Sequence, residues 1–164
     1  MKLTKKLLSV LLSLSMLMVV SISASAVNVP GDYSGYVKKI HNGSYSFNSF
    51  SATLSWPNVL NKVRWDGSST TKWMGSSPFY ADSILHKNIV SVSALGGLSA
   101  SSSGGGVSMS GSQMIDDMSV SNGWYVNSYF DYSIRASVFI FSTNFSSFGR
   151  VQIGGNFYSM SCTT

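Results

Sequence analysis

Apolar residues recur at every second position through much of this chain, and that period restricts the fold more than any other feature of the sequence. Phe50, Ala52, Leu54 and Trp56 share one parity; Ile134, Ala136, Val138 and Ile140 share another, with Phe139 and Phe141 on the opposite side. A period of two lines up such residues on one face of a pleated strand, and that face has to be buried against a second layer. Gly, Asn and Ser clusters punctuate the alternation at Gly75-Ser76-Ser77-Pro78, Asn122-Gly123, Phe148-Gly149 and Gly154-Gly155-Asn156. The pattern predicts an all-β domain, an antiparallel sandwich or a small barrel of about eight to ten short strands.

Composition agrees. The chain has no Glu, and from Val27 onward thirty of 138 residues are Ser, which competes with the helical backbone for hydrogen bonds. Twenty-one aromatic residues supply a core.

Four local expectations follow from the pattern. Tyr45 and Phe47 are out of phase with Phe50 to Trp56, which predicts a bulge or tight turn at Asn48-Ser49. Trp65-Asp66-Gly67 reads as a hairpin turn, with Val59 to Trp65 before it as a strand or a helical turn and Thr70 to Met74 as the return strand. Phe79 to Lys87 fits either a short helical face or a strand, whereas Ser133 to Thr143 reads as one strand whose Ile134 to Phe141 portion is central and buried on both sides.

Ahead of this pattern, Lys2, Lys5 and Lys6 precede an apolar stretch from Leu7 to Ile22, followed by Ala24-Ser25-Ala26. A basic start, an apolar centre and small residues before a cleavage point make a secretory signal over residues 1–26. The apolar stretch is shorter than the roughly 20 residues of a spanning helix. The expected product is a secreted, extracellular single domain over 27–164. It keeps eight basic residues against six aspartates, a net charge of +2, which gives no strong field for nucleic acid.

Between Lys87 and Asp116 lie twenty-eight residues without a charge. Val90, Val92, Ala94 and Leu98 alternate with Ser91, Ser93 and Ser99; Ser103-Gly104-Gly105-Gly106 offers a turn; Val107 and Met109 alternate with Ser108 and Ser110. Residues 88–115 thus read as an amphipathic hairpin or loop and resemble the membrane-inserting hairpin of β-pore-forming toxins. That resemblance implies a lipid bilayer as partner, with Val90, Val92, Ala94, Leu98, Val107 and Met109 facing lipid.

Catalytic patterns are lacking. His41 and His86 are the available bases and are expected at the surface, no Gly-x-Ser-x-Gly elbow is present, and Asp116-Asp117 in a strand point to opposite faces. No residue is assigned to catalysis, to a metal or to a cofactor. Cys162, the lone cysteine, is expected as an unpaired thiol in a frayed end or as a bridge between two chains. Binding is the better expectation: Trp65, Trp73, Trp124, Tyr125 and Tyr129 fall at or near predicted turns and strand ends, where flat rings with a polar edge suit a glycan, an envelope component or a protein.

Overall fold

The computed structural model describes residues 29–57, 60–103 and 106–164. The expected export segment at 1–26 lies outside them. The described elements are all strands: β1 Gly31–His41, β2 Ser44–Ser55, β3 Lys62–Met74, β4 Ala81–Leu95, β5 Leu98–Ser102, β6 Ser108–Ser110, β7 Gln113–Gly123, β8 Tyr125–Ala136, β9 Phe139–Ile153 and β10 Asn156–Thr163. They form two five-stranded antiparallel sheets packed as a sandwich, in the orders β1-β2-β3-β8-β5 and β10-β9-β4-β7-β6.

Several strands are longer than the sequence suggests, because residues read as breaks lie inside them. Gly67 pairs with Ala52 on one side and Phe130 on the other, so Trp65-Asp66-Gly67 is the middle of β3 and not a turn. A Cβ at Gly67 would collide with the Ser51 carbonyl oxygen, so Gly serves close approach of two backbones here. Phe148-Gly149 is likewise inside β9, and Phe79 to Lys87 leads into β4 with no helix. No bulge interrupts β2: its register runs unbroken on both sides, and Ser46 and Asn48 continue the buried face begun by Phe50. The reverse error concerns Ile134 to Phe141. The chain leaves one sheet after Ala136 and enters the other at Phe139, so no single central strand exists there.

Residues 88–115 do not pair as one hairpin. β4 pairs with β7 and β9, β5 crosses to the other sheet beside β8, and β6 pairs with β7. Val90 and Val92 are buried in the core, and Ala94, Leu98, Val107 and Met109 pack against it half-buried.

The core is divided in three. A large apolar cluster includes Leu54, Trp65, Val90, Met114, Tyr132, Ile134 and Phe145; a smaller one holds Trp73, Ala81, Ile84, Val151 and Met160. Between them five strands turn polar residues inward: Ser46 and Asn48 from β2, Ser69 and Thr71 from β3, His86 and Asn88 from β4, Ser128 from β8 and Ser147 from β9. Asn48 Nδ2 donates to the Ser147 carbonyl (2.6 Å), Thr71 Oγ1 to Asn48 Oδ1 (3.0 Å) and Ser69 Oγ to Asn88 Oδ1 (2.7 Å). Asn88 Nδ2 donates to the Tyr132 hydroxyl (2.9 Å), which donates to Asp116 Oδ2 (2.6 Å). Among the described residues no buried side-chain N or O lacks a partner, so the belt avoids the cost of about 1–3 kcal/mol per orphaned group.

Candidate functional site

Odd-numbered positions of β8 and even-numbered positions of β3 face outward, and the register sets them in rows across the first sheet. One row is Lys38, Phe47, Lys72 and Tyr125; the next is Tyr36, Ser49, Thr70 and Asn127. Trp124, at the crossing between β7 and β8, closes the first row: its carbonyl accepts from the Trp73 amide at 2.8 Å. Its ring meets Tyr125 edge to face at 4.7 Å, with Lys72 Nζ 4.7 Å from the ring centre. Tyr36 and Phe47 pair at 5.8 Å, and Lys38 Nζ lies 3.9 Å from the centre of the Tyr45 ring.

These residues enclose a groove of about 340 Å³ lined by Phe47, Ser49, Thr70, Lys72, Trp124, Tyr125 and Asn127. Trp124 also walls a second depression of about 360 Å³, shared with Trp73, Met74, Gly75, Ser76 and Phe79. One wall is tied to its neighbours. Trp73 donates from Nε1 to the Pro78 carbonyl (3.0 Å) and stacks on His41. The groove floor is fixed by Thr70 Oγ1 donating to Asn127 Oδ1 at 2.6 Å.

Of the aromatic residues expected to bind ligand, Trp124, Tyr125 and Tyr129 are exposed, by 40%, 48% and 80%. Tyr129 sits two positions beyond Asn127 on the same face and lines a third depression with Asp116 and Asp117. Trp73 is buried and offers only a wall. Trp65 is a correction: it is wholly buried, donates to Thr143 Oγ1 at 3.0 Å and packs on Phe145. Its expected place at a turn disappears with the turn. Phe47, Lys72, Tyr36 and Lys38 were not anticipated; the out-of-phase parity of Tyr45 and Phe47, taken as a change of face, marks the outward side of an uninterrupted strand.

His86 is also a correction, since it is buried in the belt and not at the surface. Its Nε2 and Nδ1 each lie 2.8 Å from a hydroxyl, Ser69 Oγ and Thr71 Oγ1. Burial lowers its pKa to about 4, and hydrogen bonding of the ring N–H to the Asn88 side chain opposes the shift. Ser69 and Thr71 are closed off as fully as the imidazole, so this Ser-His pair offers no path to a substrate. The partly buried His41 is also shifted down, by burial and then by Lys39, and its Nε2 is 3.0 Å from Ser46 Oγ. Cys162 is not in a frayed end but inside β10, buried beside the carbonyls of Asn48 and Ser147, with its pKa raised to about 11 by burial. Bridging two chains through it would require β10 to open. Asp116 and Asp117 point apart as expected, the first to Tyr132 and the second to Lys87 (3.6 Å). Among the described residues no three His, Cys, Asp or Glu side chains cluster as metal ligands.

No protein-family model and no curated protein sequence matches the chain. Among solved structures, the chain is similar to the GAE domain of GGA2p from Saccharomyces cerevisiae, at 9% identity over 79% of this chain and 94% of that one, with a TM-score of 0.31.

Proposed function

We propose that the protein is a secreted, non-enzymatic binding domain that takes up a glycan chain of a cell envelope on the outer face of its first sheet. The observation that carries this reading is the groove in which Trp124, Tyr125 and Phe47 surround the hydroxyls and amide of Ser49, Thr70 and Asn127. A sugar ring has an apolar C–H face and a polar rim; aromatic faces stack on the one, and neutral hydrogen-bonding groups fixed by their neighbours meet the other. Lys72, held over the Trp124 ring, adds a cation at the groove edge.

A hydrolase reading has less support, because the histidine with two hydroxyl neighbours is sealed between the sheets. A bilayer-inserting role for residues 88–115 also has less: Val90 and Val92 would first have to leave the core.

The test is binding of protein beginning at Val27 to peptidoglycan, chitin and cellulose, followed by titration with oligosaccharides of whichever is retained. We expect saturable binding, weakened about tenfold in each of Trp124→Ala and Tyr125→Ala, the loss of one stacked ring, with the melting temperature held. Absence of binding to all three, or undiminished binding by the double variant, overturns the reading.

A further inference from the structure

At the opposite end of the same outer face, the residues change character. Lys62, the first residue of β3, pairs directly with Arg135 of β8, and Arg135 pairs on its other side with Ser99 of the edge strand β5. One step along, Ser133 is the partner of Ser101. Register partners on one face have Cβ atoms about 5 Å apart, so two cations and three hydroxyls converge. They enclose a depression of about 410 Å³ lined by Lys62, Ser99, Ala100, Ser101, Ser133 and Arg135.

Like charges placed directly opposite in a sheet destabilise it unless an opposite charge compensates them. Here the neighbouring carboxylate, Asp131, is taken by Arg64, whose Nε and Nη2 donate to its two oxygens at 2.7 and 2.9 Å. Among the described residues the ion pairs are Arg64–Asp131 and Lys87–Asp117, and neither includes Lys62 or Arg135. The depression therefore presents a fork of guanidinium donors, an ammonium and hydroxyls, with no acceptor of opposite charge.

We propose that this depression binds a phosphate group. A tetrahedral oxyanion has enough acceptor sites for Arg135, Lys62 and the serine hydroxyls together, and its charge relieves the repulsion between the two cations. Lys62 and Lys72 are ten residues apart on β3, on the order of 33 Å. A phosphate-bearing envelope polymer of several units would span this site and the aromatic groove. The assignment of a polymer rests on the binding function proposed above; the phosphate site itself does not.

The experiment is amide NMR of the protein from Val27, titrated with inorganic phosphate at constant ionic strength against chloride. We expect saturable shifts centred on Lys62, Ser99, Ser101, Ser133 and Arg135, weakened at least tenfold in the K62Q/R135Q double variant while its other resonances stay in place. The shifts should persist in Trp124→Ala/Tyr125→Ala, which separates failure of this site from failure of the aromatic groove. A second arm uses poly(glycerol phosphate): tighter binding per phosphate than the inorganic ion identifies a polymer as the source, and equal binding identifies the free ion. Shifts that chloride reproduces, that fail to saturate, that survive in K62Q/R135Q, or that acetate matches in strength overturn the proposal.

Discussion

His86 shows how one side chain ties the belt to solution conditions. Unfolded, the ring takes up a proton near its ordinary pKa of 6.5; in the fold, burial keeps it neutral down to about 4. Between those values the unfolded chain holds the extra proton, so the contribution is complete above pH 6.5 and is lost as the pH falls toward 4. The loss is about 3 kcal/mol. Urea unfolding at pH 7 and pH 4 is expected to show this drop in the native protein and a smaller drop, by roughly that amount, in His86→Gln, which retains hydrogen-bonding capacity without titrating. Such a residue was not legible as buried. Hydropathy sends Asn48, Thr71 and His86 to the outside, and what holds them inside is a partner on a distant strand: Asn48 and Ser147 are 99 residues apart. The exposed Trp124 and Tyr125 were legible, since they follow Asn122-Gly123 where the chain crosses from β7 into β8, and Asn122 adopts a positive φ of 51°.

Among the elements, the same kind of dipeptide has opposite meanings. Asn42-Gly43 joins β1 to β2 with both φ angles positive, 47° and 79°, the geometry of a two-residue hairpin. Asp66-Gly67 lies in mid-strand with a neighbour on each side. Local composition does not separate them; the contact that would show the difference, Gly67 against the Ser51 carbonyl, exists only after β2 and β3 have paired. Gly67→Ala is therefore expected to cost about 1–3 kcal/mol through the clash with the Ser51 carbonyl, read as a lower urea midpoint. Strand content was legible from the period of two. Strand ends were less so, because Ser occurs inside β3, β4 and β9, and Gly inside β3 and β9, as well as between strands.

At the level of the whole molecule, the uncharged run after Lys87 is shared between both sheets and serves the core. Val92→Asp is accordingly expected to destabilise the domain by about 3–5 kcal/mol through a buried charge, detected as a large fall in melting temperature. The native protein is expected to release no dye from liposomes; release by native protein that Val92→Asp abolishes without a change in melting temperature would contradict this placement. The sandwich architecture itself was expected, yet the arrangement of strands was not, since the chain changes sheets between β3 and β4, β4 and β5, β5 and β6, β7 and β8, and β8 and β9. One result is that β10 brings Met160 and Cys162 into the two apolar clusters and sets Met160 Sδ 3.3 Å from Ser46, 114 residues earlier. Until β10 has emerged, the core lacks one wall and β9 has an unpaired edge. Closing the core thereby rests on pairings of long sequence separation, whose loop-closure entropy has to be met before the contacts reward it, and such a topology folds slowly.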